Sequence, residues 1–369
     1  MMPPRSVKLF TLHLLRIGEQ ESNAIRHVEQ LGLLAQKLNL TLVLPPMWKS
    51  RFSTCRPNPF TYYYERDVFA HHGIVSVTFE DFQQWTSRRF SKPSSRIYDI
   101  LPWNDENKPR PQSGHTAISE SVDHISKGKR QHCLRRRTPR LTFTSTAITI
   151  QATVPRWYLN RNDAAGLAND IIMILQREAR NIIAVTWELR HPLFPVSAEF
   201  PIEYARQWTA LAESVSSKIS PFIAIHWRME TVPTHHMRAC ASSLVSTIKS
   251  IYHLSRHKSL ADTTNSIAVY LATDYPLESS DAPAHSGTFR DLDEHHHAAV
   301  RYVVDAFSAG GELAALRLTS LAREVSANED TYGIRFEDMD SGLRGILDKL
   351  IVIRSNWFVA GAKVCSRQR

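Results

Sequence analysis

The stretch PFIAIHWRME, residues 221–230, is an apolar run that stops at a histidine, a tryptophan, an arginine and an acid. Its first half is apolar at every position, the pattern of a strand covered by helices on both faces. Phe222, Ala224, His226 and Arg228 fall on one side of a period-two alternation, with Ile223, Ile225 and Trp227 on the other. Open parallel sheets bind ligands beyond the carboxyl ends of their strands, which makes His226 and Arg228 candidates for chemistry. The alternative is that Arg228 merely pairs with a carboxylate at the sheet edge.

Downstream, TVPT (231–234) turns the chain. A helix is expected over about 235–253, with Leu244, Val245, Ile248 and Ile251 at core spacing. A second apolar strand follows at 267–271 and ends in Ala272-Thr273-Asp274. Two apolar strands joined by one helix form a βαβ unit, whose right-handed crossover makes the strands parallel and puts Arg228 and Asp274 at the same end. Beyond them, His285-Ser286-Gly287-Thr288-Phe289 offers hydroxyls and main-chain N–H groups for phosphate oxygens and a ring for a flat base. Helices are expected at 298–307, 312–325 and 343–358, and upstream at 202–219.

The amino-terminal half opens with a strand-like segment at 7–15, a polar loop at 16–22 and a helical pattern from Asn23, which reads as an N-cap. Val28, Leu31, Leu34, Ala35 and Leu38 recur at helical spacing, and Thr41-Leu42-Val43-Leu44 then forms a strand stopped by Pro45-Pro46. The loop GEQES has one glycine and two acids, so it is no phosphate cradle of the GxGxxG kind. The aromatic run Phe60-Thr61-Tyr62-Tyr63-Tyr64 reads as core or interface, and another strand-like piece lies at 74–79. A striped helix at 163–180 and a strand at 181–187 resume the order, and the proline-bounded stretch 191–201 marks a domain boundary.

With 369 residues and 43% hydrophobic content the chain suffices for about two domains. Of the net charge of +9, most is local: residues 86–140 hold thirteen Lys or Arg against five Asp or Glu. That stretch reads as a disordered basic surface insertion, either a solvated loop or a docking arm for an acidic partner, membrane surface or nucleic acid. It contains no folded binding motif, and no nucleic-acid partner is expected. The four cysteines, Cys55, Cys133, Cys240 and Cys365, make no CxxC pair and allow two disulfides without requiring them. Neither His235-His236 nor His295-His296-His297 has the spacing of a metal site, and surface histidines are expected. A sequon, Asn39-Leu40-Thr41, heads an apolar run. No run of about 20 apolar residues marks a spanning helix, and the first residues do not read as a signal peptide.

Together HWRME, YLATD, SGTF and ILDKLIVIRSNWFVAGAKVCSR, with SNAIRHVEQLGLLAQKLNLTLVLPP in the amino-terminal half, resemble the GDP-fucose protein O-fucosyltransferases, in a divergent fungal-type branch. The resemblance implies an α/β fold of GT-B type, two Rossmann-like domains facing a cleft. These would be residues 1–195, on the acceptor side and carrying the insertion at about 86–140, and residues 196–369, binding the nucleotide sugar. It implies inverting, metal-independent transfer of fucose from GDP-fucose to a Ser or Thr hydroxyl of a protein or to a glycan, with no cofactor besides the donor. Arg228 then matches the β-phosphate clamp, His226 a nucleotide contact and Asp274 the acid that recognises base or ribose. Ser286, Thr288 and Phe289 match the phosphate and base-stacking loop, and Asn23 the asparagine near the sugar. Glu19 and Glu21 are the two candidates for a catalytic base. This loop departs from the family's pattern at Ser22 and Ala24, and Leu40 stands where the family has an arginine. A protein that binds GDP-sugar without transferring it is the alternative. The resemblance places the protein in the ER or Golgi lumen, although the family's signal-anchor, stem and serine-rich end are not seen, as in a truncated gene product.

Overall fold

The computed structural model describes residues 9–13, 21–49, 51–52, 56–102, 115–121, 136–143, 147–153, 161–189, 192–195, 202–257, 267–277 and 292–360. The chain divides into two units, Met1–Ala205 and Arg206–Arg369. The division falls later than the expected 195/196 boundary, because residues 202–205 are fastened to the first unit. Glu65 N donates to Glu203 O at 2.8 Å, Ala205 N donates to Tyr63 O at 2.9 Å, and Tyr64 and Tyr204 form an antiparallel bridge. Backbone groups satisfied this way stay with the body that satisfies them.

In the first unit, β1 (Leu9–His13) leads to α1 (Glu21–Lys37) and β2 (Thr41–Val43), and β3 (Met47–Trp48) pairs with β4 (Arg51–Phe52) in a small antiparallel sheet. Then come α2 (Asp67–His71), β5 (Ser76–Val77), α3 (Phe79–Ser87), β6 (Ser94–Leu101), β7 (Thr116–Ser121), β8 (Thr142–Phe143), β9 (Ala147–Ala152), α4 (Arg161–Gln176) and β10 (Ile182–Trp187). The main sheet runs β5-β2-β1-β10-β6-β9-β7, with β8 also pairing β6. Every pair is parallel except β7 on β9. All six residues of β10 are buried, as a central parallel strand covered on both faces requires. Phe60, Tyr63 and Tyr64 are core residues packed with Phe52 and Phe69, which settles the aromatic run as structural.

Two expectations for this unit are corrected. The stretch 86–140 is not one insertion: β6 lies within it, between β10 and β9, with Ile97, Tyr98, Asp99 and Ile100 buried. The short apolar run of β6 is diluted by basic neighbours, so composition hides a central strand. Helix α1 starts at Glu21 rather than Asn23, which places an acid in its first turn, where the helix dipole favours it. Asn23 therefore lies inside the first turn and is not the N-cap.

In the second unit, α5 (Arg206–Ile219) feeds β11 (Phe222–Trp227), followed by α6 (Met237–His257), β12 (Ala268–Thr273), α7 (Glu294–Ala306), β13 (Arg317–Thr319), α8 (Leu321–Ser326), α9 (Glu329–Tyr332), α10 (Ser341–Val352) and β14 (Trp357–Ala360). The sheet is parallel throughout in the order β13-β12-β11-β14. Its core joins Ile223, Ile225, Val269 and Leu271 with Val245 and Ile248 of α6 and Ala299 and Val303 of α7. Two expected helices run on into strands. Residues 312–325 contain β13 before Ser320 caps α8, its hydroxyl accepting from Arg323 N. Residues 343–358 break after α10, where Asn356 accepts from Phe222 N at 3.0 Å and donates its own N–H to Phe222 O at 3.1 Å, starting β14 beside β11. Cys240 of α6 is disulfide-bonded, and the other three cysteines lie outside the described residues. Among the described residues no helix is long and apolar enough to cross a membrane.

Candidate functional site

The parallel register of β11 and β12 sets His226 opposite Ala272 and Trp227 opposite Thr273, so Arg228 and Asp274 leave the sheet side by side. The chain turns at once into a short 3-10 segment, Met229–Thr231. Asp274 holds that turn: Met229 N donates to its Oδ1 at 2.9 Å and Glu230 N to its Oδ2 at 3.1 Å. Burial pushes the Asp274 carboxyl above its ordinary range, opposed by the two N–H groups and by the Arg228 charge. Hydrogen bonds to a carboxylate are worth roughly 1.5–3 kcal/mol each, so this strand-end clasp is strong.

Arg228 is presented by the clasped turn. Its Nη2 donates to Glu230 Oε2 at 2.7 Å, and its side chain remains 38% exposed. A half-exposed pair of this kind is worth on the order of 1 kcal/mol, so a phosphate that takes two guanidinium N–H groups can displace Glu230. His226 keeps access to solvent, yet the protein around it and the neighbouring guanidinium push its imidazole below the ordinary histidine range, against the pull of Asp274. The imidazole is therefore neutral at pH 7, with one nitrogen that donates and one that accepts. Behind the clasp, Tyr275 Oη meets His297 Nδ1 at 2.7 Å and ties the residue after Asp274 to α7.

Of the residues singled out in the sequence, His226, Arg228 and Asp274 are thus brought together. Ser286, Thr288, Phe289 and Glu19 lie outside the described residues, and for Asn23 the description covers the backbone only. Glu21 belongs to the first unit, where its Oε1 accepts from Tyr204 Oη at 2.5 Å and Tyr64 Oη at 3.2 Å. Burial raises both tyrosine hydroxyls well above their ordinary range, and the Glu21 charge adds to it, so both stay protonated donors. Glu230, within residues 221–230, was assigned no role from the sequence. Its neighbour two residues back, an arginine at a strand end, was the signal for it. The histidine clusters divide: His235 is exposed with its ring against His236, whereas His296 is buried and completes a capping box with Asp293 at the start of α7. That overturns the expectation of a surface position for His296, since a cap must sit against the helix end it serves.

No protein-family model matches the chain, and no curated protein matches it. Similar solved structures include POFUT1 in its apo form, at 12% identity over 97% of this chain and 92% of that chain, with a TM-score of 0.47. POFUT1 in complex with GDP-fucose is 12% identical over 96% of this chain and 90% of that chain, with a TM-score of 0.46. POFUT1 in complex with GDP is 12% identical over 98% and 92%, with a TM-score of 0.43. The α/β class of the chain follows from its strand orders and registers.

Proposed function

We propose that the chain is a fucosyltransferase-like glycosyltransferase of GT-B type that moves fucose from GDP-fucose to a Ser or Thr hydroxyl of a protein, or to a glycan, with inversion and without a metal. The observation that carries this reading is the presentation of Arg228, in the motif HWRME, at the carboxyl end of a central parallel strand by a turn that Asp274 clasps. In the transfer, the bond from the fucose anomeric carbon to the β-phosphate oxygen breaks and GDP leaves with the electron pair. The acceptor oxygen bonds the same carbon from the opposite face and gives up its proton to a base. Negative charge grows on the leaving phosphate, and a guanidinium already aimed there stabilises it with little reorganisation.

His226 would contact the nucleotide as a neutral imidazole. Ser286, Thr288 and Phe289 would hold phosphates and base, and Asn23 would stand near the sugar. Asp274 would serve first by fixing the turn that aims Arg228, with its remaining lone pairs facing base or ribose donors. Glu19 and Glu21 are the proposed bases. The second reading, a GDP-sugar-binding protein without transfer, is favoured by one observation: Glu21 already accepts hydrogen bonds from two tyrosine hydroxyls.

Incubating the chain with GDP-fucose and a panel of Ser/Thr peptides and glycans tests the reading. GDP release that depends on an acceptor and is lost in Arg228→Ala supports transfer. Binding of GDP-fucose without release across the panel supports the second reading, and failure to bind either GDP or GDP-fucose overturns both.

A further inference from the structure

The first unit carries a feature that sugar transfer does not use. The end of α3 with the turn after it, residues 86–93, and the segment 136–143 contain six Lys or Arg and no Asp or Glu: Arg88, Arg89, Lys92, Arg136, Arg137 and Arg140. Although far apart in sequence, the two segments are built into one surface. Gln83 Nε2 donates to Arg137 O at 2.7 Å, and Thr142 N donates to Pro93 O at 2.9 Å. Arg140 donates from Nη1 to Ser87 O at 2.8 Å and from Nη2 to Phe90 O at 3.5 Å. Beneath them Leu141 is buried in one cluster with Phe79 and Phe82. A shallow open cavity of about 410 Å³ lies between the segments, lined by Glu80 as well as Gln83, Gln84, Arg137 and Arg140.

The charges of this region are sorted along α3. Glu80 and Asp81 stand in its first turn, where the helix dipole favours acids, and the cations gather past its last turn. Capping accounts for Arg140, while Arg137 donates from Nη1 to Arg56 O at 2.8 Å and lies over the Phe79 ring, and Arg89 lies over the Trp85 ring. At the tip of the same turn Phe90 is 105% exposed, while Phe79 and Phe82 one helix away are 1% exposed. Arg140 holds the carbonyl of Phe90 from behind, so the ring is displayed on an anchored turn.

A large apolar side chain displayed on a turn and flanked in sequence by Arg88, Arg89 and Lys92 matches a bilayer interface: the ring enters the acyl boundary while the cations meet anionic headgroups. A single-stranded nucleic acid would instead ask for several exposed aromatic platforms interleaved with cations along a groove, whereas here Trp85 is half-buried beneath Arg89 and Phe90 is the one fully exposed ring of the turn. We propose that the turn 86–93, supported by 136–143, is a docking tip for a membrane surface bearing anionic phospholipid headgroups.

Sedimentation of the full chain with vesicles of phosphatidylcholine alone, and of phosphatidylcholine with phosphatidylserine, tests this. Binding is expected to the anionic vesicles only and to fall steeply with added salt. Arg88→Ala/Arg89→Ala is expected to weaken it about thirtyfold, at about fivefold per cation. Phe90→Ser is expected to weaken it about tenfold or more. Both variants change exposed or half-exposed side chains and should melt as the parent does. Equal binding to neutral and anionic vesicles, parent-like binding by Phe90→Ser, or tighter binding to a short DNA oligonucleotide than to anionic vesicles would each overturn the proposal.

Discussion

The two units fasten their carboxylates over very different distances along the chain. In the second unit Asp274 closes on main-chain N–H groups at 229 and 230, one βαβ step away, and the parallel register alone brings them together. In the first unit Glu21 closes on Tyr64 and Tyr204, the latter 183 residues away. Glu29, on the same helix, accepts from the backbone of Ile202. The second arrangement therefore belongs to a local motif. The first ties α1 to residues 202–205, which lead into the other unit, and it depends on how the whole unit packs.

The largest expected effect sets these grips apart most sharply. Asp274→Ala leaves two N–H groups at a buried turn without their acceptor, at roughly 1–3 kcal/mol each, and should destabilise the second unit by on the order of 4 kcal/mol. Denaturant melts read this directly, and the same variant should lose GDP affinity because the turn no longer aims Arg228. A loss below about 1 kcal/mol would show that the clasp is incidental.

Glu29 comes next, its carboxyl pushed up to about 7 chiefly by burial, against the pull of the Ile202 N–H and of Arg26. The folded pKa lies above the unfolded value of 4.5, so Glu29 contributes most to stability below pH 4.5. That contribution is lost as pH rises through 7. Glu29→Gln should therefore gain stability relative to the parent at pH 8, by on the order of 2–3 kcal/mol, and gain little at pH 4.5. A pH-independent difference in melting temperature would contradict that assignment.

Tyr204→Phe and Tyr64→Phe should each cost about 1–2 kcal/mol, since each removes a donor from a charged acceptor. Protease sensitivity near residue 205 should rise while GDP affinity stays at the parent value. A fall in GDP affinity equal to that of Asp274→Ala would erase the distinction between the two grips. The smallest effect is expected from Glu230→Gln. Releasing Arg228 from a pair worth about 1 kcal/mol or less should tighten GDP about two- to fivefold. Weaker binding would mean that Glu230 itself touches the nucleotide.

What was legible in the sequence follows the same division. PFIAI and AVYLA are uniformly apolar and short, so the strands, the crossover and the shared end of Arg228 and Asp274 could be placed from pattern alone. The clasp by main-chain N–H groups leaves no mark on residue identity. The strand β6 was hidden because serines and a basic neighbourhood dilute IYDIL. Strands β13 and β14 were absorbed into helices because each sits beside a genuine apolar helix with only a short break between. Nothing local announces that Tyr204 meets Glu21, since the pair exists only when residues 202–205 are laid against Tyr63 and Glu65.

On the proposed function, the strand-end turn of the second unit aims Arg228 at a diphosphate. Calorimetric titration of GDP into the parent chain and Arg228→Ala tests it most directly. Saturable binding by the parent, weakened about a hundredfold or more in a variant with an unchanged melting temperature, is the predicted result. Equal affinities for the two proteins, or no heat with the folded parent, would contradict it.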